Sequence, residues 1–550
     1  MRHWTRRCLS TLLISTALSR DAIGANAQQQ FPLRVPIGYG TSRSSATTYQ
    51  ATGDSNTNER PFETFMDFTG DPHTVPVASW ISAEDNTVVD LQTLSDEYYT
   101  QVTHPRYPYH AIRIKSSKGW CDSSVRSYTG YIDIGAKHLF FYFFESRSPS
   151  SDIILWTNGG PGCSSSLGLF MELGPCQILS KEDIPHPKYN PYSWNNNASV
   201  IFIDQPVGVG YSYADYGEHV GRTEEAAKDI ASFVAIFMEK FVYGDETADH
   251  RGKKEDVKLH LAGESYGGRY IPVFAAEILD QNIELKRANL TTVPLKSIMV
   301  GNGMTDSVSM VGSYYDMQCT NASIEPFLPI STCVRIRKAL PRCQAQLEAE
   351  CLHRFDTMAC QAASAMCEME IAAPFFMSGL NPYDISKPCD GPIEETLCYP
   401  ITQYIGQYLN LPETRRQLGV DEKVGKFKSC SDAVGEDFRT HLDELRTTST
   451  YVEGLLERGI NVLIYVGTYD WICNHVGNYR WTSAFQWSGH EEFNKQELRE
   501  WKVDDRAAGK TRSAQGLTFA TVFGAGHMVP YDKPKDALAM LNRWLAEQAL

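Results

Sequence analysis

The sequence has no uninterrupted apolar run of about 18 residues, so nothing in it reads as a membrane span. It also lacks an excess of positive charge. With 51 Lys and Arg against 66 Asp and Glu, the formal net charge is −15, which argues against a nucleic-acid partner because phosphates require clustered cations. No two cysteines show Cys-x-x-Cys spacing, and no His-Glu-x-x-His occurs. The usual zinc signatures are therefore missing, and neither a metal nor a cofactor is expected.

What is present is an ordinary globular composition: 550 residues, 42% hydrophobic and 21% charged. The acidic balance suits an acidic compartment, where many carboxylates are partly neutralised. Arg2, Arg6 and Arg7 precede a modest apolar run from Cys8 to Leu18, and Ala25-Asn26-Ala27 offers a small-residue cleavage site. Residues 1–27 thus read as a signal peptide, or otherwise as a disordered or mitochondrial-type leader. Sequons at Asn197, Asn289 and Asn321 fit secretion and predict glycosylation. Of 14 cysteines, eight lie between Cys319 and Cys398. In a secreted chain that density predicts disulfides, and the odd number left after Cys8 predicts a free thiol.

Residues 28 to about 110 are polar, with scattered aromatics such as Trp80, Tyr98 and Tyr99. They suit a loosely folded pro-segment or a small N-terminal domain. Beyond them, Tyr128–Ile134 and His138–Phe144 predict paired strands joined by a glycine-containing turn. The apolar runs 152–156, 198–203, 257–261, 461–466 and 517–523 predict strands buried on both faces. Helices are predicted over 223–241, with an apolar stripe and acidic N-terminal end, over the helix-compatible 273–282, and over 536–547. This rhythm predicts an α/β fold with a central, mostly parallel sheet flanked by helices. Residues 111–305 form its first part and 431–550 its second. Residues 306–430, helical and Cys-rich without strand alternation, read as an insertion.

The chemistry centres on Gly263-Glu-Ser-Tyr-Gly267, between a predicted strand and a predicted helix. Flanking glycines let such a turn fold sharply and push the hydroxyl of Ser265 outward as a nucleophile. The order Ser, acid, His is then completed by Asp470 and His527, each following a predicted strand at the edge where parallel sheets place their sites. For the oxyanion hole, the backbone N–H of Tyr266 would be joined by one from the loop Thr157-Asn-Gly-Gly-Pro-Gly162, with Gly160 the preferred donor.

Four segments carry a resemblance: Trp156-Thr-Asn-Gly-Gly-Pro-Gly-Cys-Ser-Ser165, Gly263-Glu-Ser-Tyr-Gly-Gly-Arg-Tyr-Ile-Pro272, Tyr465-Val-Gly-Thr-Tyr-Asp-Trp-Ile-Cys-Asn474 and Gly526-His-Met-Val-Pro530. In this order, over residue 110 to the end, the chain resembles the serine carboxypeptidases of the α/β-hydrolase superfamily, nearest the carboxypeptidase Y type. The resemblance implies release of C-terminal residues from peptides and proteins through an acyl-enzyme on Ser265, in a vacuole-like compartment or outside the cell. It implies a site for the substrate carboxylate at Asn158, Gly159, Glu172 and Glu264. Two close carboxylates repel an anion, so one must stay protonated, which predicts better peptide binding in acid.

By the same resemblance, Tyr266, Trp471, Ile472 and Cys473 would border the penultimate-residue pocket, and Leu167, Met171 and Met528 the leaving-residue pocket. These walls suggest a hydrophobic preference. Cys473 would be the free thiol. The implied disulfides are Cys163–Cys430, Cys319–Cys333, Cys343–Cys367, Cys351–Cys360 and Cys389–Cys398; Cys121 and Cys176 depart from that set and are expected to pair together. Residues 28–110 would be a propeptide. Two rival roles use the same scaffold: an acyltransferase or lyase, and a protective binding partner of other hydrolases.

Overall fold

The computed structural model describes residues 80–82, 88–184, 186–242 and 256–550. The expected leader and most of the expected pro-segment lie outside them.

The described residues build a 14-stranded sheet. In chain order its main strands are β1 Trp80–Ser82, β2 Tyr99–His104, β3 Tyr107–Ser116, β4 Ser127–Ile134, β5 Lys137–Phe144, β6 Asp152–Thr157 and β7 Ser199–Ile203. They continue as β8 Lys258–Glu264, β9 Leu295–Gly301, β10 Asn461–Gly467, β11 Arg499–Val503, β12 Arg506–Ala514 and β13 Leu517–Val522. Their spatial order is β1-β2-β3-β4-β5-β7-β6-β8-β9-β10-β13-β12-β11. From β7 to β13 every neighbouring pair is parallel; β2 to β5 and β11 to β12 add antiparallel margins.

Burial on both faces explains why the central strands are unbroken apolar runs. In β6, Ile153 and Leu155 face one apolar layer, Ile154 and Trp156 the other. The first layer is covered by α1 Thr223–Phe237 and α2 Gly267–Arg287. The insertion carries α3 Ser307–Cys319, α4 Ile330–Leu347 and α5 Thr357–Cys367 around a third apolar cluster, and α6 Asp432–Thr440 follows it. The C-terminal α7 Pro534–Leu545 covers the second layer.

Residue 110, the expected end of the pro-segment, lies inside β3, so a junction there leaves β1, β2 and the start of β3 with the pro-segment. One feature differs from the sequence reading. The insertion, read as helical only, holds a small ladder between Leu380–Asn381 and Asp384–Pro388. Strands this short carry no alternation to detect; a side-chain turn closes them, with Tyr383 N donating to Asn381 Oδ1 at 2.9 Å.

Disulfides join Cys163–Cys430, Cys319–Cys333, Cys343–Cys367, Cys351–Cys360, Cys389–Cys398 and Cys121–Cys176. Cys473 is free and buried. Asn197, Asn289 and Asn321 are all exposed. Among the described residues no helix is long and apolar enough to cross a membrane.

Candidate active site

Four loops leave the carboxyl ends of parallel strands and meet at one rim. After β8, Ser265 takes φ +63°, a left-handed conformation that a side-chain-bearing residue adopts only when its surroundings impose it. Those surroundings are visible. Ser265 N donates to the Gly301 carbonyl at 3.1 Å, and its own carbonyl accepts from Gly268 N and Met304 N, each at 2.9 Å.

The expected acid and base, Asp470 and His527, lie on the loops after β10 and β13. His527 Nδ1 lies 2.8 Å from Asp470 Oδ2, with both side chains buried. Asp470 Oδ2 also accepts from Asn302 Nδ2 at 2.7 Å and Cys473 N at 3.3 Å, and Oδ1 from Ile472 N at 3.1 Å. His527 is held by its backbone, whose N–H donates to the Tyr383 carbonyl at 2.7 Å. Asp532 Oδ2 accepts from Gly526 N at 2.7 Å; burial pushes that carboxyl up to about 6.

Ser265 and His527 open into one cavity of about 500 Å³, which Asn158, Gly159, Gly160, Leu167, Glu264, Tyr266, Ile472, Cys473 and Met528 also line. Gly159 packs directly on the nucleophile turn: a Cβ there would sit 2.4 Å from Tyr266 N. The loop bearing Gly159 and Gly160 is anchored from beneath. Asp204 accepts from Ser164 Oγ at 2.5 Å and Ser165 N at 3.1 Å, and the disulfide from Cys163 clamps the loop to Cys430.

Asn158 is oriented by its own acceptors. Its Oδ1 receives Trp156 Nε1 at 2.8 Å and Gly168 N at 2.9 Å, which turns Nδ2 towards Glu172 Oε1 at 3.4 Å. Glu172 and Glu264 are both buried. Burial raises both carboxyls, and the charge of Glu172 raises Glu264 further, so this pair keeps a proton well above the ordinary carboxyl range. Cys473 Sγ lies within 4.8 Å of ligand atoms of Asp470 and His527. Burial, with Asp470 and Glu264 nearby, pushes that thiol up and keeps it protonated, a poor metal ligand.

Two expected pocket residues are elsewhere. Trp471 is stacked between Phe375 and Tyr314, with ring centroids 4.0 and 4.5 Å away, and belongs to the insertion core. Met171, fully buried on the Gly168–Glu172 turn, packs in the second apolar layer. The sequence reading missed Asn302 and Tyr383. Only the Gly301-Asn-Gly303 sequence after β9 could have flagged the former. It also missed the acidic wall of the cavity, where Glu394, Asp432, Glu436 and Glu444 accompany Arg439.

A family profile described as serine carboxypeptidase matches residues 119–547. Carboxypeptidase Y of Candida albicans is 40% identical over 457 residues, spanning 82% of this chain and 79% of that one. Carboxypeptidase Y homolog A of Aspergillus oryzae is 42% identical over 433 residues, 77% of this chain and 75% of that one. The crystal structure of KEX1(delta)P, a prohormone-processing carboxypeptidase from Saccharomyces cerevisiae, superposes with a TM-score of 0.65 at 24% identity. It covers 78% of this chain and 92% of its own, a likeness of fold.

Proposed function

The chain belongs to the serine carboxypeptidase family, and from that premise we propose how its residues release C-terminal amino acids from peptides. It is a serine-type carboxypeptidase. Ser265 Oγ attacks the carbonyl of the last peptide bond, His527 takes its proton, and Asp470 fixes the imidazole so that Nε2 serves as base. The N–H groups of Gly160 and Tyr266 receive the oxyanion. His527 then returns the proton to the leaving amine, and water hydrolyses the acyl-enzyme by the same route in reverse.

What makes the enzyme an exopeptidase is recognition of a free carboxylate. Asn158 Nδ2 and the Gly159 N–H donate to it, and the proton kept by Glu172 and Glu264 supplies a further hydrogen bond. Peptide binding is therefore favoured at acid pH, in a vacuole-like compartment or outside the cell. The precursor enters the secretory pathway through residues 1–27, and residues 28 to about 110 act as a propeptide that keeps it inactive. Asn197, Asn289 and Asn321 carry glycans.

One observation carries this reading: His527, 2.8 Å from the buried Asp470, opens into the same cavity as Ser265, which is held at φ +63°. Processed enzyme is incubated with blocked dipeptides from about pH 4 to 8, beside Ser265→Ala. Turnover should fall by about 10⁴-fold or more in the variant; undiminished turnover overturns the assignment. A mature N-terminus at Gln28 would remove the propeptide.

A further inference from the structure

The cavity wall facing Tyr266 is built from α6 and the turn Asp443–Leu445, and it is acidic. Tyr266 Oη donates to Asp443 Oδ2 at 2.7 Å, so Glu444, the next residue, is brought to the Tyr266 side of the nucleophile. Tyr314 fixes the same side. Its hydroxyl donates to the Ile472 carbonyl at 3.0 Å. Glu444 therefore lines the same cavity as Ile472, Cys473 and Tyr266, the residues expected to border the acyl half of a substrate.

Its charge state and partners decide what it can do. Among the described residues Glu444 forms no ion pair, whereas Asp443 is taken by Arg269 at 3.2 Å and Glu436 by Arg439. A carboxylate on a cavity wall with no cation in direct contact is an incomplete ion pair. We propose that Glu444 selects a lysine or arginine side chain at the penultimate position of the peptide, its carboxylate completing that pair. The inference rests on the carboxypeptidase reading above and adds to it a basic specificity that the apolar walls alone do not suggest.

The groups facing Glu444 set its pH behaviour. Burial raises its carboxyl, Arg439 and Arg269 pull it down, and Asp443 pushes it up. Glu368, beside it, is raised to about 9 by burial and then by Glu444, so it stays neutral and leaves Glu444 as the anion. Preference for a basic residue should therefore grow as pH rises and Glu444 ionises.

The test compares kcat/KM for two blocked dipeptides with one leaving residue, one with lysine and one with leucine in the penultimate position. Glu444→Gln, which keeps the shape, should lower the Lys-to-Leu ratio by about ten-fold or more and flatten its rise with pH. Arg439→Gln removes the competing cation and should raise the ratio by roughly two- to five-fold. Equal losses on both substrates in Glu444→Gln, or an unchanged ratio in both variants, overturns the proposal. Wild type that cleaves the leucine peptide but not the lysine peptide overturns it too. Wild type that cleaves neither overturns the carboxypeptidase reading on which it rests.

Discussion

Asn302 donates from Nδ2 to Asp470 Oδ2 at 2.7 Å, while its Oδ1 accepts from Gly467 N at 3.1 Å. One side chain, after β9, thus spans to the strand end and to the carboxylate it supports. It is fully buried and does not line the cavity, so it acts through Asp470. Asn302→Ala leaves a buried amide and a buried carboxylate each short of a partner, costing about 2–3 kcal/mol of stability. With the imidazole less firmly oriented, kcat should drop about ten-fold while KM changes little. Denaturant unfolding and steady-state kinetics check both; a drop confined to stability would make Asn302 structural only.

The candidate triad was legible in the sequence because each member follows an apolar run, and runs buried on both faces are the strongest strand signal available. Asn302 follows such a run too, but a lone Asn has many reasons to sit in a loop. Tyr383 was harder. It acts through its carbonyl, which accepts from His527 N at 2.7 Å, and backbone chemistry leaves no mark on residue identity. Trp471 failed in the opposite direction. Its neighbours Ile472 and Cys473 do line the cavity, yet Phe375 and Tyr314 from the distant insertion take the indole between them. Adjacency in sequence does not say which way a side chain turns.

The carboxyl pair gives a prediction with a definite sign. Burial and mutual repulsion hold the Glu172 and Glu264 protons above ordinary carboxyl values, so the pair is a donor in acid and loses that capacity as pH rises. KM for a free-acid peptide should rise by about ten-fold once the proton is gone, and less for the corresponding amide. In Glu172→Gln with Glu264→Gln that rise should vanish. KM measured from about pH 4 to 8 decides it, and an acid-side profile unchanged in the double variant counts against the pair.

Glu368 predicts how stability depends on pH. Its folded carboxyl is raised from 4.5 to about 9 by burial and by Glu444. A carboxyl raised on folding stabilises fully below its unfolded value and loses that contribution as pH climbs through the folded one. Wild type should therefore weaken relative to Glu368→Gln from about pH 5 upward. By pH 8 the difference should be on the order of 4–5 kcal/mol. Only the difference isolates this group, because Asp443, held low by Arg269 despite its burial, works in the opposite sense. Parallel unfolding curves at every pH would show that Glu368 ionises freely.

Gly159 offers the sharpest steric test. A Cβ there would meet Tyr266 N at 2.4 Å, Glu264 O at 2.7 Å and Ser265 Cβ at 2.8 Å. None of these can yield alone, since each is backbone, or bonded directly to it, in the same strained turn. Gly159→Ala must therefore push the oxyanion loop and the nucleophile turn apart. Elsewhere the loop is fixed by Cys163–Cys430 and by Asp204, so the fold should survive. The displaced donors should cost about 10²–10³ in kcat, the usual consequence of losing one oxyanion hydrogen bond. A near-normal kcat in a folded variant would mean that Gly160 and Tyr266 do not form the hole together.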